Sequence, residues 1–190
     1  MTTIVAVKKG GYAAIAADTL TMWGNMKESA NHIKNHEKLL EFQDNYLGFT
    51  GSAVFKLVVE HWLKNNKKKP KFDSVENIFD SWLSFHKQLK DKYYLRSEDD
   101  DSDDFETSRM NVLIVNPSGI FAVGVLRTVN EYNRFTAFGS GCDYAVGAMH
   151  AVYDDPAKSA EDIARIAIET AAEFDDGTGL PMNSYTIKLK

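Results

Sequence analysis

The sequence is short of several things, and each absence narrows its chemistry. Cys142 is the only cysteine among 190 residues, so no internal disulfide can form, and a reducing cytoplasm is the expected compartment. No apolar run reaches the roughly 18 residues that span a bilayer, so no membrane partner is expected. The N-terminus has no basic region followed by an apolar stretch, and no signal peptide is therefore expected. A basic excess is missing too: 22 Lys and Arg face 27 Asp and Glu, for a net charge of −5, which argues against a general nucleic-acid binder. His61 and His86 lack partners at metal-ligand spacing, so packed or surface roles are expected for both. The acidic run over residues 98–106 lacks the spaced ligands and central glycine of a calcium loop. It reads as a solvated loop, with a cation or basic-partner site as the alternative.

What is present is ordinary for a globular protein: 44% hydrophobic and 26% charged residues. The length suggests one domain, residues 1–190, with one substantial core. Thr2 to Val7 and Tyr12 to Ala17 are strand-like runs joined at Lys8-Lys9-Gly10-Gly11, a hairpin signal. Strand character resumes over Leu20 to Trp23. Lys38 to Phe42 and Tyr46 to Thr50 flank a second turn at Gln43-Asp44-Asn45.

A helical period then takes over. Val54, Leu57, Val58, His61 and Trp62 have the spacing of one buried helix face. After a basic connector ending at Pro70, Ser74 is placed to cap a second helix marked by Ile78, Phe79, Trp82, Phe85 and Leu89. The second half repeats the order. Met110 to Val115 and Ile120 to Leu126 form a hairpin around Asn116-Pro117-Ser118-Gly119. Phe135 to Phe138 runs into Gly139-Ser140-Gly141 and a helix carrying Tyr144, Ala145, Met149 and Val152. Ser159, with Asp162 three residues on, caps a helix whose face is Ile163, Ile166, Ala167 and Thr170. Asp175 to Pro181 breaks it, and Ser184 to Leu189 is a last strand. Strands grouped apart from helices argue for an α+β fold.

Several stretches carry a resemblance in order. MTTIVAV followed by IAADTLTMWGN resembles the start of the proteasome β-type and HslV-type N-terminal nucleophile hydrolases. EKLLEF, YLGFTGS, AFGSGCDYAVGAM and AAEFDDGTG continue the match. The long acidic insertion and the C-terminal TIKLK look most like the betaproteobacterial proteasome homologues. The resemblance implies two antiparallel sheets stacked face to face with a helix pair outside each, a four-layer αββα sandwich that would bury every apolar face named above.

The resemblance also implies a chemistry that physical reasoning supports. A threonine hydroxyl is a weak nucleophile and needs a base within hydrogen-bond reach. A free α-amino group, with a pKa of about 7.7–8.0, can accept the proton. Thr2 would carry both groups once Met1 is removed; with Met1 attached, the nitrogen is an amide. Asp18 in IAAD resembles the aspartate that pairs with a catalytic lysine, for which Lys38 in KLLEF and Lys34 in HIKN both remain candidates. Lys38 is preferred because the strand context directs its side chain. Gly48 in YLGFTGS matches the glycine whose N–H faces the oxyanion. Ser140 in GSG matches the serine near the terminal amine. Asp175 and Thr178 in DDGTG resemble the segment supporting that serine, with Asp176 as a one-residue alternative.

The implied activity is threonine-type peptide hydrolysis that needs no metal or organic cofactor. The implied partners are a peptide or unfolded protein substrate, further copies of the chain in stacked rings, and an ATP-dependent unfoldase. Two other functions fit the same residues: a ring-forming subunit with little peptidase activity, and an amidase or transpeptidase of the same nucleophile class.

Overall fold

A computed structural model describes residues 1–96 and 104–190. Most of the acidic run, residues 98–103, therefore lies outside the described residues. The chain begins with β1 (Thr3–Lys9) and β2 (Tyr12–Asp18), then β3 (Thr21–Trp23), β4 (Met26–Glu28), β5 (Leu39–Phe42) and β6 (Asn45–Thr50). Helices α1 (Val54–Asn65) and α2 (Val75–Asp91) follow. Strands β7 (Asn111–Asn116), β8 (Gly119–Val123), β9 (Val129–Tyr132) and β10 (Phe135–Gly139) lead to α3 (Cys142–Val152), α4 (Ala160–Phe174) and β11 (Met182–Lys188).

Two antiparallel sheets organise the molecule, one in the order β10-β1-β2-β11 and the other β5-β6-β7-β8-β9. The expected αββα sandwich is present. The runs IVAV in β1 and AAIAA in β2 do not alternate with polar residues, because both faces of their sheet are covered. Val5, Val7, Ala14 and Ala16 pack against Ala160, Ile163, Ala164, Ala167, Ile168 and Ala171 of α4. The opposite face, Ile4, Ala6, Ala13, Ile15 and Ala17, packs on Leu39, Leu113, Val115, Ile120 and Ala122 of the second sheet. The far face of that second sheet, including Leu47, Phe49, Val112, Ile114 and Phe121, meets α1 and α2. The apolar side chains thus gather in three clusters, one per interlayer space, rather than in one core.

Local signals act as the sequence suggests. Lys9 pairs with Tyr12 across a two-residue turn in which Gly10 and Gly11 have φ of 61° and 77°, the mirror-image turn that suits strand twist. Ser74 accepts a hydrogen bond from the N–H of Asn77, and Ser159 and Asp162 form a capping box on α4.

Three expectations are corrected. The buried stripe of α1 is Phe55, Val59, Trp62 and Leu63, whereas Val54, Leu57 and His61 are exposed. Apolar residues occur on both sides of this helix; of the expected face, Trp62 is buried and Val58 packs against the same cluster, while the other three face outward. In α2, Phe79 is exposed rather than buried; His86 takes the packed role expected of it, between Ser108 and Glu106. The strand expected to run through Leu126 stops at Val123. The chain turns at Arg127, with φ of 66°, and returns as β9. Strand β4, paired to β3, has little apolar patterning and was not anticipated.

Candidate active site

The edge where β1 leaves the N-terminus gathers side chains from distant parts of the sequence. Asp18, at the end of β2, is fully buried and satisfied on both oxygens. Its Oδ1 accepts from the N–H of Thr3 at 3.0 Å and from Lys38 Nζ at 2.7 Å. Its Oδ2 accepts from the N–H groups of Leu20 and Gly179, each at 3.1 Å. Carboxylate oxygens buried without such partners would be costly. Lys38 immediately precedes β5, and burial lowers its pKa despite the opposing attraction of Asp18. Its Nζ also donates to the carbonyl of Met1 at 3.3 Å, and Thr2 Oγ1 donates to that same oxygen at 2.6 Å.

On the other side, Ser140 donates its N–H to Thr2 O at 3.0 Å and its hydroxyl to Asp175 Oδ2 at 2.7 Å. Thr178 Oγ1 donates to the same Asp175 oxygen at 2.6 Å. That donation leaves Thr178 Oγ1 as the acceptor for Thr3 Oγ1, 2.6 Å away. Thr3 Oγ1 in turn accepts from the N–H of Gly141 at 3.0 Å. The result is a one-directional chain, Gly141 to Thr3 to Thr178 to Asp175, ending on a carboxylate. Burial favours the neutral form of Asp175, but the hydrogen bonds from Thr178 and Ser140 outweigh it and hold its pKa below the ordinary value.

Six of the seven anticipated residues, Thr2, Asp18, Lys38, Ser140, Asp175 and Thr178, lie in this connected group. Lys34 and Asp176 are both exposed, and it is Lys38 that pairs with Asp18. The seventh, Gly48, is not brought to the site. It lies in a strand paired on both sides, opposite Leu39 and Leu113, so its N–H belongs to the sheet. A Cβ there would sit 3.0 Å from Leu39 Cδ2 and 3.2 Å from Ile4 Cγ2, within the layer between the sheets.

Three residues went unnoticed in the sequence. Gly51, with φ of 105°, stands between β6 and α1 and lines the cavity beside Thr2. YLGFTGS contains two glycines, and the one at the strand exit is the one that turns into the site. Gly139, with φ of 113°, lets Thr2 approach: a Cβ at this position would fall 1.7 Å from Thr2 O. Thr3, read only as part of a strand, supplies a link of the hydroxyl chain.

Thr2 and Lys38 open onto a cavity of about 640 Å³ between the β3–β4 hairpin, the segment before β5 and the first turns of α1. Among the described residues, no cluster of His, Cys, Asp or Glu is arranged to hold a metal ion. Nor is any helix among them long and apolar enough to cross a membrane.

Two stacked antiparallel sheets between helix pairs, with the first strand starting at residue 3, are the architecture of the proteasome β-type N-terminal nucleophile hydrolases. No family model matches the chain. Solved structures do. Thiobacillus denitrificans BPH, a bacterial proteasome homologue, superposes with a TM-score of 0.95 at 48% identity, covering 100% of this chain and 99% of that one. The same protein in complex with epoxomicin gives 0.94 at 48% identity, covering 100% of both chains. Eukaryotic HslV from Trypanosoma brucei shares the fold, with a TM-score of 0.72 at 21% identity over 98% of this chain and 99% of that chain. This chain belongs to the bacterial proteasome homologues, a proteasome-like threonine protease family.

Proposed function

We propose that this chain, acting as one domain over residues 1–190, is a threonine-type endopeptidase whose nucleophile is Thr2 after loss of Met1. The observation that carries this reading is the convergence of Thr2 Oγ1 and Lys38 Nζ on one carbonyl oxygen, beside a buried Asp18. Removing Met1 turns the Thr2 nitrogen from an amide into an amine that can take the hydroxyl proton. The Oγ1–carbon bond then forms, and the peptide C–N bond breaks as the amine side takes up that proton and leaves. Water, deprotonated by the same amine, hydrolyses the ester and regenerates Thr2.

Lys38 lies where an ammonium stabilises the deprotonated hydroxyl, and Asp18 orients it. Ser140, Asp175 and Thr178 hold the terminal residue in position. The backbone N–H of Gly51, rather than that of Gly48, is the candidate donor to the oxyanion, because Gly51 lines the cavity next to Thr2. The proposed setting is cytoplasmic, in stacked rings of identical chains that receive peptides or unfolded proteins, with an ATP-dependent unfoldase as a partner. Kinship to BPH and the HslV-like fold support that reading, and native mass spectrometry of the processed protein measures the assembly.

Epoxomicin, bound by the BPH relative, is a suitable probe. Processed protein should begin Thr-Thr-Ile-Val and gain the mass of one probe per chain. Thr2→Ala should form no adduct, and Thr2→Ser should retain some. Peptidase activity in protein that quantitatively keeps Met1 would overturn the mechanism.

A further inference from the structure

Lys38 ends a stretch, residues 29–38, that belongs to no strand or helix. The hydrogen bonds of Asn31 and His32 to Ser29, and of His36 to Ile33, stay inside that stretch. They do not fix where its last residue stands. Ladder pairing begins only at Leu39, opposite Gly48. Lysine carries its charge on a flexible stem, so the ammonium is placed only as well as the backbone beneath it. Yet Lys38 Nζ meets one oxygen of Asp18 at 2.7 Å.

Glu37, the residue before it, is held from two sides. Its carboxylate accepts from the hydroxyl of Tyr185 on β11, and its carbonyl accepts from the Lys56 ammonium in the first turn of α1. The Tyr185 ring lies on Tyr46 of β6, with centroids 4.6 Å apart and planes 9° from parallel. That stack crosses from the first sheet to the second and restricts the ring to the orientation that carries its hydroxyl to Glu37. The bond to Glu37 is the main cause that pushes the Tyr185 pKa up to about 12, so the hydroxyl stays a donor at neutral pH. Consecutive residues thus make two links between the sheets: Glu37 to β11, and Lys38 to Asp18 at the end of β2, the strand that β11 pairs with. Lys56 adds a third tie, to the helix that follows Gly51.

We propose that Tyr185 and Lys56 are positioning residues for the reaction at Thr2: together they clamp Glu37, and through it they set the Lys38 ammonium against Asp18 and the terminal threonine. The inference rests on the proposed role of Lys38 in that reaction. Neither Tyr185 nor Lys56 touches the reacting atoms; each acts through the backbone that carries Lys38.

The test is the rate of mass gain with epoxomicin in processed protein, referred to the folded fraction that urea unfolding measures for each variant. Tyr185→Phe keeps the ring stack and removes only the hydroxyl. It should slow acylation about 10-fold, because a misplacement on the order of 1 Å can cost about 10²-fold and the Lys56 bond remains. Lys56→Met and Glu37→Ala should each slow it by about 10-fold or more. Glu37→Gln keeps an oxygen that accepts from Tyr185 and should stay within about 3-fold of the parent. The decisive arm repeats Tyr185→Phe in Lys38→Met protein. There the ammonium to be positioned is absent, so the further loss should be below about 2-fold. A role in the fold alone would give the same rate factor in both backgrounds. A parent-like rate in Tyr185→Phe, an equal loss in the two backgrounds, or Glu37→Gln as slow as Glu37→Ala overturns the inference but leaves the peptidase reading intact. A processed parent protein that cleaves no peptide and takes no epoxomicin overturns both.

Discussion

Replacing Lys38 by alanine tests the electrostatics of the site most directly. The ammonium lies 2.7 Å from Asp18 Oδ1, and the two side chains are 13% and 0% exposed. Removing one member of a buried pair commonly costs about 3–5 kcal/mol, because a charge stays buried without its partner. Asp18 would keep the N–H groups of Thr3, Leu20 and Gly179, so a cost of about 3 kcal/mol, at the low end, is expected. The rate of adduct formation with epoxomicin should fall about 10²–10³-fold, the usual loss for one electrostatic stabiliser.

Urea unfolding and the rate of mass gain measure the two effects separately. Lys38→Met with Asp18→Asn removes both charges and should recover most of the stability but none of the rate. Lys34→Ala should change stability by no more than about 0.5 kcal/mol and leave the rate unchanged, since Lys34 is exposed. A larger rate loss in Lys34→Ala than in Lys38→Ala would refute the assignment. The pair also has a pH signature. Burial sets the folded-state pKa of Lys38 below its ordinary value of 10.5, so between the two values the unfolded chain binds more protons. The Lys38 contribution to stability therefore rises with pH across that window, and Lys38→Met should lack the rise.

Two further substitutions separate packing from chemistry. Gly48→Ala crowds Leu39 and Ile4 and should cost about 1–3 kcal/mol in unfolding assays without slowing acylation per folded molecule. Gly51→Ala, whose Cβ would meet Arg109 O at 2.8 Å, should slow acylation by about 10²-fold or more; the reverse pattern would return the oxyanion role to Gly48. Thr178→Val keeps the shape but strands the Thr3 hydroxyl and removes a donor from Asp175, at a cost of about 1–3 kcal/mol by denaturant unfolding. Thr178→Ser should restore that loss, and a Val variant as stable as the parent would show that the hydroxyl chain contributes little.

The sequence alone determined the order of strands and helices apart from β4 and β9, the caps at Ser74 and Ser159, and the Gly10-Gly11 turn, because these depend on residues close along the chain. Six members of the connected group were also legible, through short stretches such as IAAD, KLLEF and DDGTG. Their meeting was not. Asp18 reaches Gly179 across 161 positions, and Thr3 reaches Thr178 across 175. Only the pairing of β1 with β2, and of β2 with β11, brings those segments together.

Which face of α1 is buried was a tertiary decision as well. Val54 and Leu57 are as apolar as Phe55 and Val59, and only the placement of the helix on β5–β9 turns one set inward and leaves the other on the cavity. The same holds for the two glycines of YLGFTGS. Gly48 is spent on close packing between sheets, and Gly51 on a positive φ at the strand exit. Glycine has no side chain to carry a pattern, so the backbone around each one decides its use.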